Sequence, residues 1–272
     1  MTTPLGSIAT ENGRYYEWGD PVERFLSVTN VLDKAMSKPA LMPWSNKLVA
    51  EKAWQCVEYV LKNGKLPPAP KLQRKVKGQP VMKEVDHPTY WKAEANKVKD
   101  ASAARGTLIH DWAEQWVLGA EPDPPEGLEL ECMGIIKAFD RYEITAEVAE
   151  CTVFNRAHKY AGTADLIATV GAYGGARMLL DYKTGKNAWP ETALQLAAYR
   201  FGEFIGLPDG SEVPVPETQG GGVLHVDFGT TTLIPYACGF AQFEVFTNAV
   251  KVATWAVEDA KSVMNIPGIL SA

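Results

Sequence analysis

The chain has 272 residues, 46% of them hydrophobic and 22% charged, and a formal net charge of −6. That supports a real buried core and fits one elaborated domain better than two equal ones. It argues against a protein coated in basic surface, and no uncharged apolar run approaches the roughly 18 residues needed to span a bilayer.

The opening MTTPLGSIATENGRYYEW has no basic stretch followed by an apolar one, so the expected location is the cytoplasm. The N-terminal part reads as helical. Thr29 can cap a helix running through Val31, Leu32 and Met36, and after the Pro39–Pro43 break a second helix is expected from about Ser45 to Asn63. The segment from Leu66 to Pro88 has no sustained period, and its prolines and basic cluster Lys71, Arg74, Lys75 and Lys77 argue for an exposed loop or hairpin that contacts DNA. Helical periodicity resumes from about Thr89 to Leu118, with a break expected near Gly106, and again from about Gly127 to Tyr142.

Charge is distributed unevenly along this half. From Lys62 to Arg105 there are eleven Lys or Arg against four Asp or Glu, and from Gly106 to Glu150 two against eleven. Such a split suits a protein that grips phosphates with one segment and gathers cations with another, although solvated helix faces would give the same count.

The pattern then changes. Val148–Asn155, Tyr160–Val170 and Arg177–Lys183 carry the β-branched, alternating character of three consecutive strands. A helix from about Pro190 to Ile205 follows, then a hairpin of Val223–Phe228 and Thr231–Tyr236 across Gly229. A closing helix has a core stripe of Phe243, Phe246, Val250, Ala253, Val257, Ala260 and Met264. The order indicates an α+β or mixed α/β architecture. Cys56, Cys132, Cys151 and Cys238 form no C-x-x-C pair and read as reduced thiols, with neither zinc knuckle nor iron–sulfur cluster expected.

Within LLDYKTGK, strand alternation puts Leu179, Asp181 and Lys183 on one face and Leu180 and Tyr182 on the other. Sixteen residues earlier, GTADLIATV places Asp165 on the preceding strand, with Leu166, Ala168 and Val170 facing away from it. Two carboxylates can thus converge beside a lysine. Phosphodiester hydrolysis uses such a set: carboxylates hold Mg²⁺ or Mn²⁺, and the lysine orients the nucleophile and offsets charge on the phosphate.

GTAD, DYK sixteen residues on, QLAAY after a further turn and helix, and the upstream RGTLIH together resemble the PD-(D/E)XK nuclease superfamily, in its RecB-like exonuclease branch, and especially stand-alone phage-encoded exonucleases. The likeness runs from about Arg105 to Tyr199. It implies a restriction-endonuclease-like core with a mixed central sheet flanked by helices over 105–272, preceded by a helical N-terminal region with a basic loop over 1–104, the two forming one compact unit. It implies His110, Asp165, Asp181 and the Tyr182 main-chain carbonyl as metal ligands, Lys183 as catalytic lysine, and Gln195 and Tyr199 as residues that position the site. Expected partners are DNA and a single-strand annealing or recombination protein, in phage recombination, repair or replication.

The N-terminal stretch SVTNVLDKAMSKPALMPW, Ser27 to Trp44, is also similar to the start of phage-encoded members. The iron–sulfur cysteines of the CRISPR-associated subgroup are absent, which puts an adaptation role in doubt, and with no G-x-x-x-x-G-K-[ST] loop the sequence shows no helicase motor. Glu114, one turn beyond His110, and Glu150, at the start of the first strand, are candidates for outer support of the metal, with a solvated acid the alternative for each. Arg105 and the 71–77 cluster are candidate phosphate contacts that solubility would also explain. Rival readings are an endonuclease or flap nuclease with the same site, an inactive DNA-binding module, and a hydrolase of small phosphate esters.

Overall fold

A computed structural model of the chain describes residues 4–36, 41–76, 79–185, 187–260 and 263. The chain opens with three strands, β1 (Ser7–Thr10), β2 (Gly13–Trp18) and β3 (Glu23–Ser27), where helix was expected. The reason lies in local patterning. Glu11-Asn12 makes the tight turn that joins β1 to β2 as an antiparallel hairpin, with Gly13 opening β2 at a φ of 111°. The aromatic and apolar residues Tyr15, Tyr16, Trp18, Phe25 and Leu26 are buried on pleated strands, where such side chains pack well.

Helix α1 (Val28–Ala35) follows directly, capped by Ser27 and not by Thr29: Ser27 Oγ accepts the Asn30 N–H at 3.1 Å. Next come α2 (Leu41–Asn63) and an antiparallel hairpin of β4 (Lys71–Val76) and β5 (Gln79–Glu84), the hairpin alternative for the proline-rich segment. Helix α3 (His87–Val117) runs 31 residues without a break at Gly106. A Cβ at Gly106 would stand 3.0 Å from Thr184 Oγ1, so the glycine permits close approach to a strand and does not interrupt the helix.

The rest of the chain is α4 (Glu129–Tyr142), the meander β6 (Ile144–Asn155), β7 (Tyr160–Val170) and β8 (Ala176–Thr184), then α5 (Thr192–Arg200), β9 (Phe204–Gly206), β10 (Glu212–Pro214), the hairpin β11 (Gly220–Asp227) and β12 (Thr230–Tyr236), and α6 (Phe240–Thr254). Helix α5 stops short of the expected Ile205, which pairs in β9 with Val153 of β6. Met264 lies outside the described residues.

The chain divides into two compact units, Lys38–Arg105 and the combination of Met1–Ser37 with Gly106–Ala272. The first 37 residues therefore belong with the sheet, not with a helical region over 1–104. The sheet is mixed: β8 runs parallel to β11 and β3 parallel to β7, while the other pairs are antiparallel. Its faces carry separate cores. On one, Val28 and Val31 of α1, Leu196 of α5 and Phe246 of α6 cover Ile167 and Leu179. On the other, Ile109 and Trp112 of α3 and Ile135 of α4 cover Leu166, Leu180 and Tyr182. Burial on both faces holds the central strands, whose side chains are almost wholly removed from water.

One detail of the pairing positions the functional residues. β7 pairs with β6 along its length, but its other edge is shared: β3 pairs at Tyr160–Ala161, and β8 pairs at Leu166–Val170. Between them, at Gly162–Asp165, the edge is split.

Candidate metal centre

Asp165 stands at the split. Beyond the Leu166–Leu180 pair β8 parts from β7, and the Tyr182 N–H that would continue the ladder donates instead to Asp165 Oδ2 at 2.8 Å. His110, on α3, brings Nδ1 to 3.3 Å from the same oxygen, and its ring meets the edge of the Tyr182 ring at a centroid distance of 5.7 Å. Both contacts fall on one oxygen, leaving the other free of these two partners.

Glu150 faces Asp165 across the β6–β7 pair, between the partners Ala149–Leu166 and Cys151–Ala164. Its φ of 47° is left-handed, a conformation a non-glycine residue adopts at a cost and which recurs at functional sites. Ligand atoms of His110, Glu150 and Asp165 all lie within 4.8 Å of one another. Hard divalent cations bind oxygen at about 2.0 to 2.6 Å, so this spacing fits one shared ion.

Asp181 lies beside the triad on the neighbouring strand and is 1% exposed. Gln195 Nε2 donates to its Oδ1 at 2.9 Å and reaches Tyr199 Oη at 3.4 Å, so the pair four apart on α5 does meet the carboxylate. Lys183 Nζ pairs with Oδ2 at 2.5 Å, so the two oxygens of this buried carboxylate are divided between an amide and an ammonium.

The electrostatics follow from crowding these groups. Burial pushes the Asp181 carboxyl up, and the Lys183 ammonium only partly opposes it. Burial would also raise Asp165, but His110 outweighs it and holds that carboxyl low. Burial would lower the His110 pKa, but Asp165 and then Asp181 bring it up to about 9. Glu150 is pushed up to about 8 by burial and by Asp165. Burial works against the Lys183 ammonium, but Asp181 and Asp165 hold its pKa up. A divalent ion would displace the protons held by Glu150 and His110 and relieve the repulsion among the acids.

The chain matches no protein-family model and no curated protein.

Of the residues singled out from sequence, His110, Asp165, Asp181, Tyr182, Lys183, Gln195 and Tyr199 converge. Glu150, expected as outer support, stands in the triad, while Asp181 is engaged with Lys183 and Gln195. Glu114 and Asp111 are near enough to raise Glu150 further. The Tyr182 main-chain N–H is bound within the site, and its side chain lies against the His110 ring in the core formed with α3 and α4. Arg105 and Lys71 lie in the Lys38–Arg105 unit, where Lys71 pairs across the hairpin with Glu84 at 4.0 Å. The side chains of Arg74 and Lys75, and all of Lys77, lie outside the described residues.

Sequence reasoning passed over Tyr16. Its Oη meets Thr163 Oγ1 at 3.2 Å, which ties the N-terminal hairpin to the split beside Asp165. The signal was the turn at Glu11-Asn12, which places Arg14–Trp18 on a strand. No helix among the described residues is long and apolar enough to cross a membrane.

Proposed function

We propose that this protein is a metal-dependent deoxyribonuclease with a PD-(D/E)XK core of the RecB-like type, and that it degrades DNA from an end. One observation carries the reading: ligand atoms of a histidine and two acids lie within 4.8 Å of one another, next to a buried carboxylate that holds a lysine at 2.5 Å. A structural ion pair would not need the histidine and two further acids beside it.

His110, Glu150 and Asp165 would hold the ion, with the Asp181 carboxylate beside them on the neighbouring strand. Bound Mg²⁺ or Mn²⁺ supplies Lewis-acid polarisation of the phosphate and a more acidic water. Lys183, anchored to Asp181, directs its ammonium toward the developing charge, help typically worth about 3 kcal/mol per donor. Gln195 locks the Asp181 carboxylate in orientation, and Tyr199 backs Gln195 from a fully buried position. The Lys38–Arg105 unit carries fourteen Lys or Arg against six Asp or Glu, a net +8 within a chain of −6, which suits binding of a polyanion.

The test uses end-labelled linear and covalently closed circular DNA with Mg²⁺ or Mn²⁺. Wild type should degrade the linear form, and Asp181→Ala and Lys183→Ala should each slow it by about a hundredfold or more. Undiminished cleavage in both variants would remove the site; cutting of closed circles would replace end-dependent degradation with an endonuclease.

A further inference from the structure

The Lys38–Arg105 unit contains a cavity of about 320 Å³ between α2 and the start of α3. Its wall is formed chiefly by Cys56, Val57, Val60, Leu66, His87 and Trp91, with no carboxylate or ammonium among the lining residues. His87 and Trp91 stand one turn apart with ring centroids 5.9 Å apart and planes inclined by 33°, which makes an aromatic wall. The volume is at the small end of ligand pockets, about 300 to 1,000 Å³, room for one planar ring system and not for a peptide helix.

An apolar cavity in a unit of net charge +8 is a specific combination. Lys52 lies one turn before Cys56 on α2, Lys65 precedes Leu66, and Lys92 follows Trp91. Among the nearby acids Glu51 pairs with Lys47, and Glu58 and Asp86, which accept from the Trp54 indole and the Thr89 N–H, are outnumbered by the basic residues of the unit. Charge and cavity thus favour a ligand that is polyanionic along its length and offers a flat, weakly hydrated ring. Single-stranded nucleic acid fits that description, since bases stack on aromatic side chains while lysines follow the phosphates.

We propose that this cavity receives one unstacked base of single-stranded DNA, stacked against Trp91 and His87, with the flanking phosphates held by lysines of the same unit. The DNA ligand rests on the nuclease reading, but base capture does not require the metal centre. The His87 ring and the Cys56 thiol contact each other at 3.8 Å and so leave the wall apolar, and the polar edge of the base stays in water at the open mouth. Phosphate is kept out because nothing in the wall would repay its dehydration.

Cys56 supplies the readout, because it is partly accessible while Cys132, Cys151 and Cys238 are buried. The full-length protein, in EDTA so that no strand is cut, is treated with N-ethylmaleimide and labelling of Cys56 is followed by mass spectrometry. Saturating oligothymidylate should slow labelling about tenfold, whereas an abasic oligomer of equal length and a blunt duplex should leave it nearly unchanged. Trp91→Ala should weaken oligothymidylate binding by about tenfold and Trp91→Phe by far less, with the salt dependence unaltered in both because the phosphate contacts remain. Equal protection by the abasic oligomer, or none by any strand, overturns the proposal. Protection that appears without DNA as protein concentration rises also overturns it, in favour of a second copy covering the cavity. Protection by oligothymidylate in a protein that never cuts DNA would refute the nuclease reading and leave the cavity assignment standing.

Discussion

Gly162→Ala adds a single methyl group and tests how the two motifs are joined. Gly162 begins the Gly-Thr-Ala-Asp run, and a Cβ there would stand 2.8 Å from Cε1 and 3.1 Å from Oη of Tyr199, and 3.1 Å from Val28 Cγ2. Unstrained carbon contacts begin near 3.5 Å, so the tyrosine ring would have to retreat by about 0.7 Å. It has nowhere to go, being 2% exposed and packed in the core with Val28, Leu196 and Ala198. Overpacking of this kind costs about 1 to 3 kcal/mol, and at roughly 2 to 4 °C per kcal/mol the melting temperature should drop by several degrees.

The same shift should reach the chemistry. Tyr199 Oη is 3.4 Å from Gln195 Nε2, which holds Asp181 at 2.9 Å, and a displacement of about 1 Å in a reacting group can lower a rate a hundredfold. Cleavage of end-labelled DNA should therefore fall well beyond what partial unfolding explains, measured at a temperature where the variant is still folded. Pairing Gly162→Ala with Tyr199→Leu, which trims the ring, should restore part of the stability, giving a non-additive cycle. A Gly162→Ala protein with wild-type melting temperature and rate would refute the packing argument, and strictly additive losses would show that Tyr199 does not transmit it.

Other outcomes follow from the charges. In the metal-free protein the Glu150 carboxyl is held up at about 8 against an ordinary 4.5, so its share of stability is complete below about 4.5 and is lost as pH rises through 8. The limiting slope is about 1.4 kcal/mol per pH unit, reduced by water that reaches this partly exposed side chain. Urea denaturation in EDTA at pH 5 and pH 8.5 should show a smaller drop for Glu150→Gln than for wild type, and equal drops would reject the assignment. With Glu150 at about 8 and His110 at about 9, both hold protons at pH 7, so binding of Mn²⁺ should release close to two protons and tighten as pH rises. Calorimetry in buffers of different ionisation enthalpy measures that release, and buffer-independent heats would count against it. Lys183→Met should abolish most activity while Mn²⁺ still binds, because the lysine touches Asp181 and not the triad; loss of metal binding would show that its role is to hold the ligands together.

Strand alternation made much of the centre legible. In Leu179–Lys183 it correctly sends Leu179 to one core and Leu180 and Tyr182 to the other, because a strand buried on both faces still obeys a period of two. The Gln195–Tyr199 spacing likewise placed both on one helical side, where they meet Asp181. Glu150 was less legible, since its part depends on a left-handed backbone that rotates the side chain out of simple alternation. The N-terminal strands were missed because each is only four to six residues long and a helix begins directly after Ser27. So short a run shows little periodicity of its own and is stabilised mainly by its neighbours.

Local chemistry in the chain alone determined which residues bear charge, which strand faces are apolar, and that Asp165 and Asp181 sit on neighbouring strands. What only the tertiary structure decided is that β3 and β8 divide one edge of β7, leaving a gap where Asp165 takes up a freed backbone N–H and His110 and Glu150 close around it. That division depends on contacts between residues far apart in sequence. A carboxylate's usefulness to a cation depends on which oxygens its neighbours leave unsatisfied, and those neighbours are brought together by folding.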